Sequence, residues 1–185
     1  MTHARLAVSV LAAPGLGLAA AAFGAEHGYD SPYAQDRAEI EDLQARDLFA
    51  LDWQDADAYA ACFTEDGVLD WAGSVAKGRE AIRAEVRGMR AAFAKKEAAD
   101  APRRPSRLRH FVTNVVLQVR GDAATETAYW LEVNNEVRDR WPFVGGYGHY
   151  VDPLRRVNGR WLYTSRKIYN EIMDSRAAGP ENPAP

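Results

Sequence analysis

The chain has 185 residues, enough for one ordinary domain with short extras and a sizeable core. Its 47% hydrophobic and 26% charged content is that of a soluble globular protein, and a net charge of −3 with both signs interspersed argues against an electrostatic grip on nucleic acid or an anionic membrane. A lone cysteine, Cys62, excludes an intrachain disulfide and any cysteine-based metal site; in its Ala-rich helical stretch it reads as packing.

Residues 1–24 differ in kind from the rest. Arg5 is followed by an uncharged, mostly apolar run from Leu6 to Ala22, and Ala22-Phe23-Gly24 leaves small residues ahead of a cut before Ala25. That layout predicts a secretory signal peptide, and with it a periplasmic or secreted protein. An uncleaved Ala/Gly-rich leader is the alternative. No later apolar run reaches 18 residues, so no membrane-spanning segment is expected. A polar linker, 25–35, leads to a domain over 36–172, and 173–185 reads as a flexible tail.

Within the domain, helical spacing covers Asp36 to Trp53. Ile40, Leu43, Asp47, Leu48 and Leu51 fall together on the wheel, with Phe49 and Trp53 flanking them. Asp55 is placed to cap a short second helix running through Phe63. Asp66-Gly67 then predicts a turn into a strand, Val68 to Trp71. A third helix is expected from about Gly78 to Lys96, with Ile82, Val86, Met89 and Phe93 inward.

Beyond it the pattern changes to period 2, with strands at about 107–119, 123–134, 144–154 and 161–169. "RGD" at 120–122 and Asn158-Gly159 supply hairpin turns. Strict alternation in the first strand puts Leu108, His110, Val112, Asn114, Val116 and Gln118 on one face. Phe111, Val115, Leu117 and Val119 share the other, which reads as core. Helices first and an antiparallel sheet afterwards predict an α+β fold with helices over one face of the sheet.

Three stretches then resemble one family: "FALDWQDADAYAACFTEDGVLDW" (49–71), "RHFVTN" (109–114) and "GHYVDPLRRVNGRW" (148–161). In order and spacing they are similar to the nuclear transport factor 2-like superfamily in its SnoaL-like branch, over about residues 34–172. That branch includes scytalone dehydratase, the bile-acid 7α-dehydratase and the hexachlorocyclohexane dehydrochlorinase. The resemblance implies a cone-shaped half-barrel, a strongly curved sheet around an apolar pocket with helices closing its mouth. It implies homodimers or homotrimers as well. In the dehydratase-like members an aspartate on the first helix pairs with a histidine at the start of the first long strand; by position these are Asp52 and His110. The arginine that the dehydrochlorinase carries on the last strand falls on Arg166. Relatives place a tyrosine or lysine five residues before the aspartate, where this chain has Asp47. Scytalone dehydratase has a second histidine in the next strand, and the matching region here is "EVNNEV".

Independently of any relative, neutral imidazole takes a proton near neutral pH, and a neighbouring carboxylate fixes its tautomer and stabilises the imidazolium. Such a dyad suits a cofactor-independent lyase that removes a proton and then a small leaving group, water or formaldehyde. Arg166 is placed to steady developing negative charge. Asp52 equally suits a helix cap, Arg166 an ion pair with a core carboxylate, and His149 stands second to His110 as the base. Asp47, Phe49, Trp53, Trp71, Asn114, Trp130, Tyr147 and Tyr150 are the expected substrate-binding residues, and so many aromatics favour a hydrophobic aromatic or alicyclic hydroxylated substrate. Neither a metal site nor a cofactor is expected, since His3 and His27 lie in the leader and linker and no G-x-S-x-G or phosphate-binding Gly loop appears. The competing classes are a non-catalytic ligand-binding or accessory protein, and an isomerase or epoxide hydrolase on the same fold.

Overall fold

The computed structural model describes residues 31–184 except 73, 101–104, 106, 137, 138 and 140. The expected signal peptide and linker residues 25–30 lie outside the described residues. The elements run α1 (Ser31–Asp52), α2 (Ala56–Ala61), β1 (Phe63–Asp70), β2 (Val75–Lys77), α3 (Arg79–Asp100), β3 (Leu108–Arg120), β4 (Ala123–Asn134), β5 (Phe143–Val157) and β6 (Arg160–Asn170). Helix α1 takes in the Ser31-Pro32 pair expected in the linker, because proline's fixed φ and missing N–H are tolerated in a first helical turn. Asp55 caps α2 as expected, its carboxylate accepting the Ala58 N–H at 3.0 Å.

The strands form one mixed sheet in the order β2-β1-β6-β5-β4-β3, in which β1 and β6 are parallel and the other pairs antiparallel. The edges, β2 and β3, do not meet, so the sheet is curved but open. Strand β2 escaped the sequence reading because three residues carry no usable period. Asp66-Gly67, expected as a turn before a strand, lies within β1, where the register against β6 shifts between Phe63 and Val68. Asn158 and Gly159 both adopt positive φ, as a two-residue hairpin requires.

All three helices pack on the inner face. Ile40 and Leu43 of α1, Tyr59 and Ala60 of α2, and Ile82 and Val86 of α3 meet Phe63, Leu117, Leu154 and Tyr163 from the sheet in one buried cluster. The segment expected as a loose tail is tied back at its start. The Arg176 carbonyl accepts the Asn170 N–H at 2.9 Å, and the Arg176 guanidinium reaches Asp70 at 2.5 Å.

One irregularity decides which residues face the interior. Asn114 has φ 57°, and the β3–β4 register shifts between Thr113 and Val116. This β-bulge inserts one residue into the alternation. Leu108 and His110 before it and Val115, Leu117 and Val119 after it therefore share the inner face. Strict alternation had put these two groups on opposite faces and Phe111 in the core. Phe111 is instead 54% exposed.

Candidate active site

Asp52 is the last residue of α1, and His110 lies at the start of β3. One carboxylate oxygen, Oδ1, lies 2.7 Å from His110 Nδ1, and the other accepts the His110 backbone N–H at 3.0 Å. A carboxylate only accepts, so Nδ1 carries the proton and Nε2 is left with its lone pair. Both side chains are largely buried.

His110 forms part of the wall of a cavity of about 230 Å³ at the open end of the cone. Leu51, Leu69, Val86, Met89, Leu108 and Ile168 supply aliphatic wall, and Tyr59, Trp71, Trp130 and Tyr150 supply aromatic wall. Trp130 is fixed by donating Nε1–H to the Tyr169 carbonyl at 2.9 Å, and its ring stacks on Tyr150 with centroids 6.0 Å apart. At the mouth, Trp71 donates to the Ser74 hydroxyl at 3.1 Å, which in turn donates to Glu85 at 2.6 Å. The volume lies below the ~300 Å³ at which typical ligand sites begin, which favours a compact occupant.

The cavity floor is ionic. Arg166, 1% exposed, donates from Nε to Asp152 at 2.8 Å, from Nη2 to the Tyr163 hydroxyl at 2.9 Å and from Nη1 to Asp47. Its guanidinium also lies against the Tyr150 and Tyr163 rings, 4.4 and 4.3 Å from their centroids. Burial alone would lower its pKa, but Asp152 and Asp47 outweigh that and hold it well above the usual value. Glu126 faces Asp152 across the β4–β5 ladder, and neither Glu126 oxygen has a hydrogen-bond partner. Burial first, and then the charge of Asp152, push Glu126 up to about 8; burial also raises Asp152 and Asp47. Three buried acids thus crowd one guanidinium, and burial pulls each of them toward its protonated form. Arg166 does line the cavity, but most of its donors are committed to these partners. Tyr163, an odd number of residues away along β6, shares its face because the β5–β6 register shifts between Val151 and Leu154.

The structure therefore brings His110, Asp52, Arg166, Trp71, Trp130 and Tyr150 together around one cavity, with Asp47 buried behind Arg166. Asp52 reaches it through His110. It does not bring in Phe49, Trp53, Asn114 or Tyr147. Phe49, on the outer side of α1, and Trp53, just past its end, are 66% and 58% exposed, and Trp53 carries the Arg109 guanidinium 3.7 Å above its ring. Asn114 is spent on the bulge. Tyr147 is 50% exposed on the outer sheet face. His149 also lies on that face, buried against the Tyr169 ring at 4.4 Å, with burial lowering its pKa against the opposing pull of Glu171. A residue the sequence reading passed over, Glu132, does line the cavity. Its signal was cross-strand pairing: the hairpin turn alone sets Val133 opposite His110, and the bulge moves that place to Glu132.

A curved mixed sheet with helices on its concave face and a histidine–aspartate pair in the hollow defines a protein of the nuclear transport factor 2-like class. More narrowly, a family model described as the SnoaL-like domain matches residues 32–167, and the chain belongs to that family. Among solved structures it is similar to a point variant of Rv3472, a function unknown protein from Mycobacterium tuberculosis, at 27% identity over 79% of this chain and 82% of that one, with a TM-score of 0.64. A Catenulispora acidiphila protein in complex with S-DNPA is 30% identical over 75% of this chain and 96% of its own, with a TM-score of 0.62. A candidate scytalone dehydratase from Novosphingobium aromaticivorans shares the fold at 23% identity over 82% and 97% of the two chains, with a TM-score of 0.62. No curated protein matches the chain.

Proposed function

We infer that the protein is a cofactor-independent lyase of the dehydratase type, acting on a compact hydrophobic substrate that carries hydroxyl groups. The observation that carries this reading is the Asp52–His110 pair, with the unprotonated Nε2 at the wall of an apolar cavity. Nε2 takes a proton from the substrate next to an activating group. The electron pair left behind forms the new double bond and expels the leaving group, water in a dehydration. Where the proton comes from a hydroxymethyl group, the O–H electron pair becomes the C=O bond of released formaldehyde. The pair of the broken C–C bond then becomes the C=C bond that expels the neighbouring oxygen as water. Asp52 holds the ring in the acting tautomer and stabilises the imidazolium. General base catalysis of this kind supplies ~10²–10⁴-fold, and positioning in a water-poor pocket adds to it. The aromatic wall formed by Trp71, Trp130 and Tyr150 suits a ring-bearing substrate, aromatic or alicyclic.

The apolar stretch at residues 6–22 supports export to the periplasm or beyond. The deciding experiment is product analysis by mass spectrometry, with the protein, His110→Ala and Asp52→Asn each incubated with hydroxylated aromatic and alicyclic compounds. Loss of the mass of water or formaldehyde, abolished by His110→Ala and strongly reduced by Asp52→Asn, is the expected result. Saturable ligand binding without any mass change would instead favour a ligand-binding protein, and an isomer of equal mass an isomerase.

A further inference from the structure

Glu132 sits directly opposite His110 in the β3–β4 ladder, and both side chains face the cavity. Its Oε2 lies 3.8 Å from His110 Nε2. That is too long for a hydrogen bond, but a substrate hydroxyl lodged beside the pair meets both groups at once. His110 therefore lies between two carboxylates, Asp52 at Nδ1 and Glu132 toward Nε2.

The placement of Glu132 is built. Asn134 donates from Nδ2 to Glu132 Oε1 at 2.5 Å, while Asn134 Oδ1 accepts the Glu136 N–H at 3.1 Å, which fixes the orientation of the amide. The space for this arrangement comes from Gly145. It is the extra residue where the β4–β5 register shifts between Glu132 and Val133, and a Cβ on it would lie 2.6 Å from Glu132 Oε1 and closer still to the Asn134 amide. A missing side chain, an oriented amide and a bulge together leave Glu132 with one oxygen held and the other turned toward His110.

We propose that Glu132 is the second catalytic residue of this site, the acid that protonates the leaving group while His110 removes the substrate proton. The inference rests on the lyase reading above. In a dehydration the substrate C–H bond breaks and its proton goes to Nε2. The C–H electron pair becomes the C=C bond, the C–O bond breaks, and the departing oxygen takes the Glu132 proton and leaves as water. The enzyme then holds an imidazolium beside a carboxylate. Transfer of one proton from Nε2 to Glu132, directly or through a bound water, restores the starting state. One proton thus serves both groups, and neither metal nor cofactor is needed to balance the cycle.

The test compares the full protein with Glu132→Gln, whose amide oxygen still accepts from Asn134. Two readouts are taken: the pH profile of turnover, and the titration of the His110 ring followed by NMR without substrate. The expected result is a kcat at least ~10²-fold lower with KM and ligand quenching of tryptophan fluorescence retained, and loss of the alkaline limb of a bell-shaped profile. In the NMR arm the pH dependence of the His110 ring differs between the two proteins, because the ring and the facing acid share one proton. Unchanged turnover in Glu132→Gln, with His110→Ala inactive, overturns the role of Glu132 and leaves the lyase reading standing. If the unmodified protein converts nothing, the lyase reading and the acid role of Glu132 fall together, whatever the two titration curves show.

Discussion

Asp52 holds His110 at two points, the ring through Oδ1 and the backbone N–H through Oδ2. The same carboxylate therefore sets a tautomer and pins the start of β3 to the end of α1. Asparagine at position 52 still accepts the backbone N–H, but its amide donates toward the ring and reverses the tautomer. Asp52→Asn is expected to lose ~10²–10⁴-fold in kcat with little change in Tm. Asp52→Ala also leaves the buried amide unpaired, costing ~1–3 kcal/mol. Melting curves of the two variants beside their rates separate the two tasks.

The buried acids at the cavity floor make stability depend on pH. Glu126 rises from a reference of 4.5 to about 8 in the folded chain because it is buried beside Asp152. A carboxyl raised in this way contributes stability in full below its unfolded value and loses it as pH climbs through the folded one. Between about pH 4.5 and 8 this group alone weakens the fold by up to ~1.4 kcal/mol per pH unit. Glu126→Gln is expected to flatten that dependence and to be the more stable protein at pH 9. Urea unfolding of both at pH 5, 7 and 9 checks it; equal slopes would show that Glu126 is ionised in the fold.

Arg166 is the counter-ion of this cluster. Arg166→Met leaves Asp47 and Asp152 without their cation and is expected to cost ~3–5 kcal/mol, read as a fall in Tm. Loss of activity in that variant is then a loss of fold. A variant that melts like the parent would show the acids to be neutral there.

Asn114 carries a positive φ that β-branched residues avoid. Asn114→Gly is expected to be close to neutral, whereas Asn114→Val costs ~1–2 kcal/mol and disturbs the facing of His110. Valine's strand propensity predicts the opposite order, so thermal melts of the two variants discriminate.

Outside the cone, Phe111, Leu131 and Tyr147 form a cross-strand row on the convex face, 54%, 37% and 50% exposed. We expect this row to be covered by further copies of the chain, as a dimer or trimer. Sedimentation velocity should show assembly in the parent and a monomer in Leu131→Lys. A monomeric parent would leave the row a free surface.

Most elements of the fold were legible because their apolar spacing is regular: the three helices, the four long strands and the Asn158-Gly159 hairpin all emerge from period and turn chemistry. The misses occur where one residue breaks a period. The bulge at Asn114 turned Phe111 outward, and the shift between β5 and β6 put Tyr163 on the same face as Arg166. The Asp52–His110 contact was legible through family resemblance. Glu132 was not, because its neighbour across the ladder depends on that same bulge. Asp47 stood out as an unexpected acid, but its partner is 119 positions away in sequence, and spacing alone carries no distance.

Gly146 and Gly148 face inward from β5, opposite Glu132 and Trp130, and Gly145 adjoins them. A Cβ at 146 would press on the Trp130 ring at 3.1 Å, and one at 148 would meet the Tyr169 backbone. The absent side chains of one four-residue run therefore let Trp130, the Asn134 amide and the Tyr169 backbone close on β5, and so set where the Trp130 and Glu132 walls of the cavity stand. The helices can keep their apolar stripes, and the cavity can still be remodelled from a single segment. Divergence toward a smaller or differently shaped substrate has a short mutational route here, with Gly146→Ala its mildest step.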